Sequence, residues 1–363
     1  MTDKFDLEKY LSVGAENVVK GLLTVSSFSL KESRFLTQYS RAAKKAERLR
    51  AEAESHGEHI PVFLIASITS VCNLHCAGCY ARKLGSCADC EPVEQLSADE
   101  WGNVFEQARG LGIGFVLLVG GEPLVRTDVL ERAAGFPEII FPIFTNGTML
   151  EQNIELFDDN RNLVPILSIE GGQEVTDARR GKGVYEQVNG IMRLLKDRRI
   201  LFGASVTVTK ENLDEVISDE FISGLKADGC KLLLYVEFVP TDESMSYLAP
   251  DEQTREKLSA RIDGLRESDS DMLYISFPGD EKESGGCLAA GRGFFHINSQ
   301  GGAEPCPFSP YSDINVREHT LKEVMQSALF RNLREQGIMS GEHDGGCVLY
   351  TRRQEVEALL NGK

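Results

Sequence analysis

Cys72-Asn-Leu-His-Cys76-Ala-Gly-Cys79-Tyr80 follows an apolar run, Val62 to Ile68, and sets three cysteines at C-x3-C-x2-C spacing. The run reads as a buried strand, which puts the cysteines on the loop at its C-terminal end. Three thiolates on one short loop can converge on three irons of a cubane iron–sulfur cluster, a group that takes Cys ligands. The fourth iron is then left without a protein ligand, and an open iron is a place to bind and activate something.

The bulk numbers set the frame. A chain of 363 residues forms one large domain or two, with a substantial core. Hydrophobic content of 42% and charged content of 26% are those of an ordinary globular protein. A formal charge of −17 argues against nucleic acid or an anionic membrane as a partner held by bulk electrostatics. The start, MTDKFDLEKY, is charged, and no run approaches transmembrane length, so a cytoplasmic location with no membrane span is expected. Nine cysteines then favour metal or redox use over a disulfide framework.

Outward from the cysteine loop, residues 1–57 read as a helical segment. Phe5, Leu7, Tyr10 and Leu11 begin one amphipathic pattern, and Ser29 through Glu54 predicts a long charged helix with Phe35, Leu36 and Tyr39 near its start. It reads as a layer packed on the main domain; a partner- or membrane-surface helix is the other reading. From Val62 strand and helix alternate. Apolar runs at Val62–Ile68, Ile113–Val119, Ile139–Phe144, Val164–Ile169, Leu201–Val208 and Lys231–Val239 predict strands, and Met272–Phe277 a seventh. Ser97-Ala-Asp-Glu100 is a capping box ahead of Trp101, and further helices are expected over about 126–135, 151–158, 184–197, 213–226 and 251–267. Six βα units with near-continuous apolar strands indicate an α/β fold with a parallel sheet wrapped by helices, whose chemistry collects at the strands' C-terminal ends.

Those ends carry Gly120-Gly121-Glu122-Pro123, then Thr145-Asn146-Gly147, then Ser168-Ile-Glu170-Gly-Gly, while the fifth strand sets Ser205 and Thr207 on one face. Singly each is an ordinary turn. Together they fall on the edge that holds the cysteine loop, and the backbone carbonyls at Gly120–Gly121 with the Glu122 carboxylate suit an ammonium group.

In this combination the chain resembles the radical S-adenosylmethionine superfamily over roughly Val62 to Phe277. The resemblance implies a partial (β/α)6 TIM-like barrel over 58–280. It implies a [4Fe–4S] cluster on Cys72, Cys76 and Cys79, with S-adenosylmethionine on the unique iron. Gly120, Gly121 and Glu122 would hold the methionyl ammonium, and Ser168, Glu170 and Thr207 the ribose and carboxylate ends, beside the polar strand end at Thr145 and Asn146. The implied chemistry is reductive cleavage to a 5′-deoxyadenosyl radical that abstracts hydrogen from a peptide or small-molecule substrate, with a reduced flavodoxin- or ferredoxin-type electron donor. The family often has an aromatic residue just before the third cysteine; here Gly78 stands there and Tyr80 follows, so Tyr80 is the candidate ring for the adenine. The alternative for the triad is a structural zinc site with His75 as fourth ligand.

Residues 281–363 hold the remaining pattern. Cys287, a strand over Phe294–Asn298, a turn at Ser299–Gly302 and Cys306 make a hairpin with a cysteine at each side, followed by a helix over about 321–336 and then Cys347. Cys287-x13-Gly301-x4-Cys306 resembles the opening of the SPASM/twitch extensions, which hold auxiliary iron–sulfur clusters. One such cluster on Cys287, Cys306 and Cys347 is expected within a small α+β extension, with His343 a candidate extra ligand; a zinc site or plain buried thiols is the other reading. Cys87 and Cys90 form a C-x2-C pair of open role, and Cys230 reads as a small core residue. Arg179 and Arg180 either reach the cofactor carboxylate or form a solvated pair. A function of a different class, an iron–sulfur electron carrier or metal scaffold, has no use for the ammonium pocket.

Overall fold

Strand formation follows the apolar runs closely. In the computed structural model, which describes residues 30–90, 94–284, 286–339 and 346–360, the strands are β1 Phe63–Thr69, β2 Phe115–Gly120, β3 Phe141–Thr145, β4 Leu163–Ser168, β5 Gly203–Val208, β6 Leu232–Glu237 and β7 Leu273–Phe277. Two short strands follow, β8 His296–Ile297 and β9 Ala303–Glu304. They form one sheet in the order β7-β6-β5-β4-β3-β2-β1-β8-β9. Every pairing from β7 to β8 is parallel; β8 and β9 pair antiparallel as the expected hairpin. This is an α/β fold with a parallel sheet left open, a partial barrel. Two of the expected features, the amphipathic pattern at Phe5–Leu11 and His343, lie outside the described residues.

Register explains why one face of this sheet is available for chemistry. Ser67 lies beside Val119, Ser168 beside Ser205, Thr207 beside Val236 and Val236 beside Phe277, all on one face and all half-exposed. The alternate residues, among them Ala66, Ile68, Leu118, Ala204, Val206 and Leu233, are buried with Trp101, Phe105, Val129 and Val188 from the helices. Helices thus cover one face of the parallel sheet.

The long helix spans Leu30–Ser55, and Phe35, Leu36 and Tyr39 pack on Phe115, Ile140 and Leu201. Those partners stand at the starts of β2, β3 and β5, so this helix closes the end of the sheet opposite the cysteine loop. The Ser97 capping box forms as expected, with helix Ala98–Leu111 behind it. Two helices expected as single pieces are broken. Residues 213–226 form Leu213–Val216 and Asp219–Ala227, and 321–336 form Leu321–Met325 and Ala328–Glu335. Each break has the same cause: the hydroxyls of Ser218 and Ser327 accept the N–H of Phe221 and Phe330 and start a new helix. Helix Gln173–Arg180, too polar to show an apolar stripe, was not expected. The strand expected over Phe294–Asn298 is trimmed to two residues, because β8 pairs with β1 only at His296 and Ile297.

Candidate radical site at the strand ends

The loop after β1 is held by backbone contacts from its neighbours. Gly121 N–H donates to the Thr69 carbonyl at 2.9 Å and Glu122 N–H to the Val71 carbonyl at 2.8 Å. A β-carbon at Gly120 would stand 2.2 Å from Thr69 O, and one at Gly121 2.1 Å from Val71 O, so only glycine permits this approach. The glycine pair therefore fixes the strand that feeds Cys72, a role the sequence reading did not assign. Loop 84–90 folds back on the other side: Val71 bridges Ala88, and Cys72 N–H donates to the Ala88 carbonyl at 3.2 Å.

Further ties reach each segment of the loop. Arg82 donates to the carbonyls of Cys72 at 3.2 Å and Leu74 at 2.8 Å. Asn73 accepts from Asn146 Nδ2 and donates to Thr148 Oγ1, each at 2.8 Å, so the end of β3 latches the loop between its first two cysteines. Ala77 N–H donates to the Arg179 carbonyl at 2.8 Å, and Arg179 Nε donates back to Ala77 O at 3.2 Å. Gly78 takes φ +68, and its β-carbon would lie 2.7 Å from the Phe238 ring, so an aromatic side chain from the end of β6 packs where this chain lacks one in the loop. Tyr80 turns to the tail instead, its ring 4.4 Å from that of Phe308.

Two carboxylates and two arginines organise the surroundings. Glu122, 1% exposed, accepts from Leu124 N–H at 3.0 Å, Thr145 Oγ1 at 2.7 Å and Asn146 N–H at 2.8 Å. Its carboxylate ties β2 to β3, and burial pushes it up to about 7 against those three donors. Glu170 accepts from Arg179, Arg180 and the Thr207 N–H. Arg179 and Arg180 are thus a half-buried pair on the buried Glu170 rather than solvated, and they oppose the upward push of burial on the Cys76 thiol. Ser168, Ser205 and Thr207 remain half-exposed on the open face. Cys87 is buried with its thiol donating to Cys72, which lies below the usual thiol range for that reason, while Cys90 is exposed. His75 is exposed and 2.9 Å from Asp89, outside any ligand set.

The three tail cysteines, far apart in sequence, share one pocket with Val236, Glu237, Val239, Phe277, Pro278, Glu281 and Phe308. The thiols of Cys306 and Cys347 are in hydrogen-bond contact, and burial pushes Cys287 and Cys306 well up. Tyr80 is near both cysteine sites, within electrostatic reach of Cys79 and of Cys306. Among the described residues no three ligand-type side chains converge tightly enough to share a single metal ion. A cubane is wider, each cysteine binding a different iron, and the soft thiolate donors of both triads are of the type that group takes. Cys230 is a buried core residue, as expected.

One constellation had no sequence signal. His296 Nε2 is 2.7 Å from Ser67 Oγ, its Nδ1 is 2.8 Å from Glu304 Oε2, and Asn298 Nδ2 donates to Glu304 Oε1 at 2.6 Å. This chain bolts the tail hairpin to β1 just ahead of the cysteine loop.

A partial parallel barrel with a three-cysteine loop at its strand ends, faced by a glycine-rich edge, is the layout expected of a radical S-adenosylmethionine enzyme. Residues 66–219 match the sequence profile of the Radical SAM superfamily, whose members use a [4Fe–4S] cluster and S-adenosylmethionine. The chain is similar to the AdoMet-dependent heme synthase of Methanosarcina barkeri, 27% identical over 78% of this chain and 87% of the relative. It is also similar to the PqqA peptide cyclase of Rhizobium meliloti, 27% identical over 73% of each. Its fold is that of SuiB from Streptococcus suis. With SuiB solved bound to S-adenosylmethionine, the TM-score is 0.66 at 17% identity, over 96% of this chain and 86% of that one. SuiB has also been solved bound to its precursor peptide SuiA, where the TM-score is 0.64 at 17% identity, over 90% and 79%.

Proposed function

We propose that this chain cleaves S-adenosylmethionine at a cluster on Cys72, Cys76 and Cys79 and abstracts hydrogen from a peptide or small molecule on the open face. The observation that carries the reading is the pinning of the cysteine loop by Gly121 after β2, Asn146 after β3 and Arg179 from the helix Gln173–Arg180, with Arg82 just past the loop holding two of its carbonyls. A loop fixed at so many points holds three thiolates in place while leaving one iron to another ligand. When bound, the cluster and S-adenosylmethionine supply a 5′-deoxyadenosyl radical. The chain's own residues position and shield. Carbonyls at the Gly120–Gly121 edge accept an ammonium, Ser168 and Thr207 offer hydroxyls to the ribose, and Glu122 and Glu170 act mainly by fixing the strand ends.

The relatives named for a heme synthase and a peptide cyclase, and a neighbour solved with a peptide, support both substrate classes. A flavodoxin- or ferredoxin-type donor fits the need for a low-potential electron. The parts fall at 1–57, 58–280 and 281–363 by role; the sheet itself continues across the last boundary through β8. We further assign an auxiliary iron–sulfur cluster to Cys287, Cys306 and Cys347, on the strength of their shared pocket. The test is electron paramagnetic resonance of the reduced C287A/C306A/C347A variant with and without S-adenosylmethionine. A changed spectrum on addition is expected; a cluster signal indifferent to the cofactor sinks the reading.

A further inference from the structure

The tail pocket holds three cysteines, and three thiolates leave one iron of a cubane without a protein ligand. Two further metal-capable side chains line the same pocket, Glu237 and Glu281. Glu237 is committed elsewhere: Arg255 Nε lies 2.9 Å from its Oε2, and the Gly346 N–H donates to it. Glu281 is not so engaged. It sits on the turn Gly279–Ser284 just after β7, is 3% exposed, and accepts one backbone N–H, from Leu288 at 3.2 Å, together with the thiol of Cys287. Arg292 stands nearby with Nη1 donating to the Cys287 carbonyl at 2.6 Å.

A carboxylate offers about four acceptor positions, and a buried one is costly unless it is paired or binds a metal. Two donors leave Glu281 with lone pairs to spare, next to a thiol that is itself a ligand. Metal binding drives the proton off a cysteine ligand.

We propose that Glu281 is the fourth protein ligand of the cluster on Cys287, Cys306 and Cys347, giving a closed Cys3Glu site with no open iron. The proposal rests on the auxiliary-cluster reading above and adds the ligand that reading lacks. It separates the two cysteine sites by role: the strand-end cluster keeps an open iron for its cofactor, and the tail cluster is sealed.

The full chain carrying C72A/C76A/C79A confines any reconstituted cluster to the tail. Iron and sulfide are counted after anaerobic reconstitution, and the reduced protein is examined by electron paramagnetic resonance before and after adding 13C-cyanide. A tail that takes up no iron overturns the auxiliary cluster and this proposal with it, before Glu281 is touched. With iron present, the parent is expected to be unaffected by cyanide, while E281A shows a shifted signal with 13C coupling. E281C, which restores a ligand, is expected to exclude cyanide again and guards against simple misfolding. H343A is expected to behave as the parent. Cyanide binding to the parent, an E281A signal identical to the parent's with cyanide excluded, or opening of the site by H343A overturns the assignment.

Discussion

Gly121 shows what a single residue does at this site. Its missing β-carbon lets the end of β2 lie against Val71 O, one residue before the first cysteine. G121A must push the two backbones apart, at a cost of about 1–3 kcal/mol by the usual penalty for overpacking. The expected result is a lower unfolding midpoint and reduced iron uptake at the strand-end site, measured in the C287A/C306A/C347A background; unchanged iron content would show that the approach is incidental. Glu122 gives a second case. Replacing it with alanine leaves the N–H groups of Leu124 and Asn146 without their acceptor, at about 1–3 kcal/mol for each buried group. E122A is therefore expected to lower stability and weaken cofactor binding together, whereas E122Q keeps a carbonyl acceptor and retains much of both. Equal behaviour of the two variants in equilibrium unfolding and cofactor binding would refute a role in tying β2 to β3. None of this was visible at the level of single letters. The glycine pair announced a turn, but the partner it approaches lies some fifty residues back in the chain.

At the scale of elements, the tail hairpin is the informative piece. β8 adds to the sheet beside β1, and His296 joins Ser67 to Glu304 across that junction. H296A leaves Glu304 buried with Asn298 as its remaining side-chain partner, which costs about 1–3 kcal/mol by the penalty for a buried acceptor that loses its donor. S67A removes one hydrogen bond, about 0.5–1.5 kcal/mol. Denaturant unfolding should rank them in that order, and an S67A as damaging as H296A would contradict this account of the junction. The strands that carry the barrel were legible because each is a near-continuous apolar run. Helix breaks at Ser218 and Ser327 were not, since a serine cap inside an amphipathic stretch does not interrupt the apolar period. The docking of β8 on β1 was illegible for another reason: strand pairing across more than two hundred residues leaves no local trace.

For the molecule as a whole, the layout puts support at one end and chemistry at the other. The helix Leu30–Ser55 caps the strand starts, and within it Glu32 is buried with its Oε2 3.3 Å from Arg161 Nη1. Burial pushes Glu32 up from 4.5 to about 7, the guanidinium opposing. The folded chain therefore holds a proton between about pH 4.5 and about pH 7 that the unfolded chain has released, and this group's contribution to stability falls as pH rises through that window. The ceiling is about 3 kcal/mol. E32Q is expected to flatten that part of the pH dependence in urea unfolding, and an unaltered slope would show that Glu32 does not titrate there.

The cysteine loop and the strand-end motifs were readable because their spacing is local. The pocket of Cys287, Cys306 and Cys347 was anticipated as a set, but its carboxylates come from β6 and the turn after β7 and could be found only in three dimensions. The loop at Cys72–Cys79 is proposed to make this chain cleave S-adenosylmethionine. The direct measurement is 5′-deoxyadenosine formed by the anaerobically reconstituted, dithionite-reduced protein given that cofactor, beside the C76A variant. Formation by the parent and not by C76A is expected; a parent with a full complement of iron that forms none contradicts the account.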